Sequence, residues 1–451
     1  MDLMSGILAC LPIVVLIVGA LVTKKMSEMI VVASFLAAIL QFKGGFFTGY
    51  LDMLYGVLSD DTFQLILIIL LGFGAMTTMF EKSGGIGGFA AFIGKYANTR
   101  KKSLVVTWLM SVCLFIDDYL NVLSTSFAMR ALTDRQRVPR EHLAYAVNSI
   151  GACICVLVPI TSWAAFGIQV GGTYGVDFSV YLAAIPLMFF PLASLLMNLL
   201  VACGVVPKVG LIKKAYERVD AGGPLLVKEE GSASLVKVEE DPEPVEPSHP
   251  LNFFAPIIVL IVVSVVMDNN IAYGIIAGLL TQIVLYSAQK RMTVSECFEH
   301  MFEGFGGMAG LAFAICFAYM TVQSCLDMGM ADFLISVLVQ TVPVAVLPCI
   351  IFLVVGLVAL TADSWVVTVL AVPIFLPLAI SMGLPLHVAM AAIMSAVAFG
   401  SQYCLFADAV FMTSAGTGVN NVTLIKVVSP YVLTCVAIAA VAFLVTGFIV
   451  V

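Results

Sequence analysis

Phe115-Ile-Asp-Asp-Tyr-Leu-Asn121 is the stretch on which the reading of this chain turns. It lies between two apolar runs, 104–114 and 122–129. The adjacent carboxylates Asp117 and Asp118 therefore stand where lipid or a packed helix is expected. A carboxylate at bilayer depth costs roughly 3 kcal/mol on insertion scales. No nearby run of basic residues offsets that cost. A cation that comes and goes is the simplest reason to hold two acids there.

The composition supports a bilayer setting. Hydrophobic residues make up 61% of the 451, charged residues 11%, and the mean hydropathy is +1.10. Soluble domains carry about 25% charged residues, so this chain cannot cover a water-facing surface. The apolar runs have helical rather than barrel-strand lengths, which predicts an all-α polytopic membrane protein. The run 7–22 lacks a basic n-region and a small-residue cleavage site, and reads as a first span rather than a secretory signal. The net charge of −7 says little about partners, and no nucleic-acid partner is expected. The eleven cysteines are scattered in apolar runs and do not cluster with the four histidines. They read as small buried hydrophobes, not as a metal or redox site. No cofactor is expected.

Spanning-length runs occur at about 4–22, 28–42, 62–80, 141–170 and 179–206, and again at about 251–267, 271–288, 306–325, 387–415 and 428–450. Between the third and fourth members of each series lies a longer apolar region, 103–132 and 344–381, broken midway by Asp117–Asn121 and by Thr361-Ala-Asp363-Ser364. Loops at 23–27, 81–102, 130–140, 207–250, 289–305 and 416–427 hold every Lys and Arg except Lys43. By the positive-inside rule that face is cytoplasmic and both termini face out. Both ends of 103–132 are then cytoplasmic, so it reads as a re-entrant hairpin with the acidic pair at its tip. Region 344–381 reads as a hairpin from the opposite side, with Asp363 at its tip. Irregular backbone at that depth is tolerated inside protein or beside a wet cavity.

The halves correspond in sequence with an offset near 244–246 residues; Pro139-Arg-Glu-His142 and Pro385-Leu-His387 are one matched pair. Each unit has five spans, an odd number, so the second is expected upside down: an inverted-topology repeat, frequent in secondary transporters. The domains are then 1–206, a first transmembrane repeat; 207–250, a charged, Pro-rich cytoplasmic linker read as solvated; and 251–451, the second repeat.

The fourth span of each half is itself broken, by Pro159-Ile-Thr161-Ser162 in the first and by the stretch from Gly400 to Asp408 in the second. Discontinuous helices offer opened carbonyls and helix ends to ions and solutes. The candidate Na+ ligands are Asp117, Asp118, Asp363 and Asp408, since oxygen ligands suit a hard cation. Asn121, Asn148, Thr161, Ser162, Ser364, Ser401, Gln402 and Thr413 are the candidate polar residues around them. One aspartate of the tip pair could instead cap a helix.

Phe115-Ile-Asp-Asp-Tyr-Leu-Asn-Val-Leu123, Met129-Arg-Ala-Leu-Thr-Asp134, Arg140-Glu-His-Leu-Ala-Tyr145 and Val158-Pro-Ile-Thr-Ser-Trp163 together resemble the NhaC-type Na+/H+ antiporters of the ion transporter superfamily. The resemblance implies a secondary transporter of a prokaryotic cytoplasmic membrane that exchanges Na+ for H+, some members carrying organic acids. It also implies a homodimer whose hairpins and broken helices move as an elevator against a fixed scaffold. One stretch departs from the family pattern Gly-Asp-His-Cys-Ser-Pro-Ile-Ser-Asp: here it reads Gly400-Ser-Gln-Tyr-Cys-Leu-Phe-Ala-Asp408. Ser401 and Gln402 replace an acid and a histidine. The alternative expectation is therefore a Na+-coupled transporter or exchanger of a small organic acid or amino acid, with the Ser-Gln pair bonding the solute. Intramembrane proteolysis would need Gly-x-Gly-Asp and Tyr-Asp; the chain has neither, only Asp118-Tyr119 in reversed order, so no enzyme is expected.

Overall fold

A computed structural model describes residues 3–23, 25–227, 246–361, 363–405 and 407–450. The described residues are helices and connections, with no strand among them. Among the described residues seven helices are long and apolar enough to cross a bilayer, and two bent pairs pass the same test together. The architecture is that of an all-α polytopic membrane protein, as expected.

Both broken regions are helical pairs. Arg100–Cys113 and Asp118–Arg135 pack on each other across the turn 114–117, and Leu347–Ala359 packs on Ser364–Ser381 across 360–363. Ala362, within that second turn, lies outside the described residues. The first broken span is Arg140–Leu157 followed by Ser162–Gly171, bent by 49° with the short turn after it. The second is Leu386–Tyr403 followed by Asp408–Thr417. Ser364, Leu386 and Asp408 each open a helix 246 residues after Asp118, Arg140 and Ser162. The lengths agree too, at 18, 18 and 10 residues in both halves. The offset read from sequence is thus carried by the element boundaries.

Burial separates an interior from a shell. In the 18-residue apolar window of each, Leu386–Thr417 is 89% buried and Ser364–Ser381 78%, against 28% for Glu28–Leu58 and 33% for both Ile271–Ala288 and Asn421–Val450. Helices that are apolar all round but half exposed face lipid. In the shell, Asp61–Lys82 crosses Val294–Asp327 at Gly74 and Gly304, where a β-carbon on Gly304 would lie 2.4 Å from the Gly74 carbonyl oxygen. Without a hydrophobic drive between helices in lipid, such close backbone approach is how they adhere.

Five elements depart from the expected spans. The span expected at 179–206 is bent by 51° where Ile185–Leu187, carrying Pro186, gives way to Phe189–Ala202. Phe46–Leu58 and Gly85–Gly94 are helices where loops were expected. Met330–Thr341 is a further helix ahead of the second hairpin. The linker is not all solvated chain: Gly210–Asp220 is a helix that buries Ile212, Ala215, Tyr216 and Val219. The acidic, Pro-rich run from Glu239 falls mostly in 228–245, outside the described residues.

That linker helix docks where the first hairpin and the first broken span begin and end. Arg218 Nη2 donates to both Glu141 carboxylate oxygens, at 2.8 and 3.0 Å. Arg100 pairs with Asp220 at 2.6 Å, and Arg137 donates to the Val219 and Gly223 carbonyls. The Tyr216 hydroxyl meets His142 Nδ1 at 2.9 Å, and the Lys208 ammonium sits 3.5 Å from the Tyr216 ring centre. Burial, aided by Arg100, pulls the Lys208 ammonium below its usual range, and burial pushes the Tyr216 phenol up.

Candidate functional site

The site is built from helix ends. Asp117 caps Asp118–Arg135: its Oδ1 accepts from the Tyr119 and Leu120 amides at 3.0 and 3.4 Å. Asp363 caps Ser364–Ser381, its Oδ1 accepting from the Trp365 amide at 2.9 Å. Capping satisfies amides that the first turn of a helix leaves without a backbone partner. The cap reading and the site reading therefore coexist in the same side chains. The first broken span joins through Ser162, whose hydroxyl donates to Asp117 Oδ2 at 2.8 Å and whose amide donates to the Ile116 carbonyl at 3.0 Å.

Asp118, the first residue of that helix, is buried and takes no part in the cap. The charged groups that act on it are Asp117, Asp363 and Asp408, all acidic. Asp363 and Asp408 act on each other as like charges, so ionising both is opposed unless a proton or a cation is near. Tyr119 donates its hydroxyl to Asp408 Oδ2 at 2.5 Å, which ties the first hairpin tip to the second broken span. Asp118 Oδ1 is buried without a hydrogen-bond partner, as is the indole nitrogen of Trp163, which lies close enough to act on Asp118. Trp163 in turn packs on Trp365, with ring centres 5.1 Å apart.

The structure thus gathers Asp117, Asp118, Ser162, Asp363 and Asp408. Among the described residues no three His, Cys, Asp or Glu side chains close round one point as a metal-ligand set. The carboxylates are neighbours, not a finished cage.

The remaining candidates do other work. Asn121 Nδ2 donates to the Ser111 and Leu114 carbonyls at 2.6 and 3.2 Å, closing the end of the first hairpin arm. Thr161 caps Ser162–Gly171 and donates to the Cys155 carbonyl at 2.6 Å, so it bridges the break. Ser364 donates to the Val397 carbonyl at 3.2 Å. Asn148, Gln402 and Thr413 form a second network between the broken spans. Asn148 Nδ2 donates to the Gln402 carbonyl at 2.9 Å, and Thr413 Oγ1 approaches Asn148 Oδ1 at 3.5 Å. The Gln402 amide donates to the Ser149 carbonyl at 3.0 Å, and its Oε1 accepts from Ser194 at 3.2 Å. Ser401 is buried beside Gly400, where a β-carbon would lie 2.3 Å from Ala359 Cβ.

Tyr119, Trp163 and Ser194 were not among the expected site residues. Tyr119 and Trp163 stand inside the stretches already singled out, and a phenol or indole at bilayer depth needs a partner; that was the available signal. Nothing in the sequence pointed to Ser194.

Residues 245–448 match the family described as the Na+/H+ antiporter family. The resemblance carried by 115–163 in the first half is thus met independently in the second. An uncharacterized protein of Haemophilus influenzae is 22% identical over 492 residues, covering 99% of this chain and 92% of its own length. The fold is shared with the solved structure of Neisseria gonorrhoeae MtrF, described as illuminating a class of antimetabolite efflux pumps. That likeness has a TM-score of 0.52 at 16% identity, over 90% of this chain and 85% of the other. The family match lies in the second half of the chain, and the likeness to the solved structure is one of fold.

Proposed function

We propose that this chain, whose residues 245–448 belong to the Na+/H+ antiporter family, exchanges Na+ for protons across a prokaryotic cytoplasmic membrane. The observation that carries the reading is the meeting of Asp117, Asp118, Asp363 and Asp408, drawn from both hairpin tips and one broken span. Four acids confined together repel one another when all are ionised, so they hold either protons or a cation. That competition is what an exchanger requires. Na+ as cargo would be drawn to the unpartnered Asp118 Oδ1, with Asp363 and Asp408 adding negative potential rather than a closed ligand set. Asp117 and Ser162 position the tip, and Tyr119 positions Asp408.

Alternating access would be movement of the buried hairpins and broken spans against the shell that crosses at Gly74 and Gly304. The repeat is read as inverted, so the two tips enter from opposite faces. Gln402 does not favour the organic-solute reading, because its amide is committed to Ser149 and Ser194.

The test is Na+-driven proton movement in proteoliposomes. Asp118→Asn abolishes it while the purified variant keeps its elution profile and thermal midpoint. Asp408→Asn does the same. Undiminished exchange in Asp118→Asn would remove the basis of the reading.

A further inference from the structure

A cavity of about 510 Å³ lies away from the aspartate cluster, between the shell and the buried bundle. Phe46–Leu58 and Val294–Asp327 supply the shell side. The turn after Ser162–Gly171 and the helix Ser364–Ser381 supply the other. Pockets of roughly 300–1,000 Å³ are the size that takes small organic ligands.

Its lining has a consistent chemistry. Asp52, Asp60 and Asp327 line it on its exposed side, and among the described residues no Lys, Arg or His lines the cavity. Asp60 Oδ1 accepts from the Phe63 amide, and Asp327 accepts from Gln41 and Gln323, so these bonds fix the carboxylates without neutralising them. Three aromatic rings share the lining, Phe42, Tyr174 and Tyr319. The floor is apolar, with buried Val57, Val170 and Val369. Two hydroxyls of the lining, Tyr319 Oη and Ser324 Oγ, are buried without a hydrogen-bond partner, and Ser324 is only 1% exposed.

Carboxylates alone would suit a metal ion, and apolar walls alone a lipid tail. Aromatic faces beside unopposed negative charge select a cation that carries its own apolar surface, since ring quadrupoles attract alkylammonium groups. The orphaned hydroxyls add a place for a hydroxyl or amide on the same molecule. We propose that this cavity binds an organic ammonium ion, its cationic head between the aromatic rings and the three carboxylates and its polar tail toward Ser324. The site is separate from the aspartate cluster and does not rest on Na+ exchange.

Choline and benzyltrimethylammonium are the probes, and 3,3-dimethylbutan-1-ol, choline's uncharged carbon isostere, is the control. Thermal unfolding of the purified full chain in Na+-free buffer should shift upward, saturably, with both cations and not with the isostere. The double variant Asp52→Asn/Asp327→Asn should keep its ligand-free midpoint and need at least tenfold more choline for half-saturation. If that variant does not fold, Asp52→Asn alone, at an exposed side chain, should need at least threefold more. Asp118→Asn should respond to choline as the unaltered chain does. The proposal is overturned by no saturable shift, by an equal response to the isostere, or by unchanged choline affinity in the Asp52 variants. Loss of the choline response in Asp118→Asn would place the ion in the aspartate cluster and overturn it as well.

Discussion

Replacing Arg218 with alanine should release the linker helix from the transporter body. Arg218 Nη2 reaches Glu141 Oε1 and Oε2 at 2.8 and 3.0 Å and the Leu225 carbonyl at 3.2 Å, while its Nε donates to the Pro224 carbonyl at 2.9 Å. The two side chains are 24% and 8% exposed, so the pair is mostly shielded. Breaking one partner of a fully buried pair costs about 3–5 kcal/mol, and partial exposure of Arg218 places this pair at the low end, about 3 kcal/mol. At about 1.4 kcal/mol per factor of ten, the undocked population rises roughly 100-fold. Hydrogen exchange of the 210–220 amides reads that population directly. Arg218→Lys, which keeps charge but loses the reach to the carbonyls, should give an intermediate rise. Glu141→Ala should add little on top of Arg218→Ala, because both remove the same contact. A rise of less than about threefold in Arg218→Ala, or full additivity with Glu141→Ala, would refute the reasoning.

Three further outcomes follow from the site. Asp117→Asn should keep the stability of the protein while Asp117→Ala lowers it by about 0.5–2 kcal/mol, because asparagine retains the helix cap; thermal midpoints of the two variants decide this. Tyr119→Phe deletes a charge-assisted bond worth about 1.5 kcal/mol or more, so the Na+ concentration for half-maximal exchange should change about tenfold with the fold intact. Gln402→Leu deletes the amide's bonds to Ser149 and Ser194, which keep only their mutual bond at 3.1 Å, so it should destabilise by about 1 kcal/mol, yet leave that half-maximal Na+ concentration unchanged. A Gln402 variant with altered Na+ dependence would bring the second network into the cation path.

Much of this was legible because charge at bilayer depth is expensive. Asp117, Asp118 and Asp363 announced the two turns, and the proline and hydroxyl residues from Pro159 to Ser162 announced a break. The contacts across the halves were not legible. Tyr119 and Asp408 stand 289 positions apart, and no local pattern says they touch. Gln402 read as a possible solute ligand because it replaces a functional residue type, whereas its neighbours use it as a stitch. The helix Gly210–Asp220 was missed for a different reason. Its charges drew it into the linker, although Ile212, Ala215, Tyr216 and Val219 follow the i, i+3, i+4, i+7 spacing of a helix with one buried face. The bend near Pro186 lay inside an unbroken apolar run, where hydropathy carries no shape.

The equal spacing of the two halves has a consequence for what length means in this chain. Surface connections ordinarily tolerate added residues, which is where proteins lengthen. Here the four-residue breaks at 158–161 and 404–407, and the four-residue connections at 136–139 and 382–385, are the same size in both halves. One residue added at a break turns the following helix by about 100° about its axis. At 404–407 that rotation would carry Asp408 off Tyr119 and Asp363; at 158–161 it would carry Ser162 off Asp117. In these short connectors the count of residues is itself information, beside the side chain of Thr161 that spans one of them.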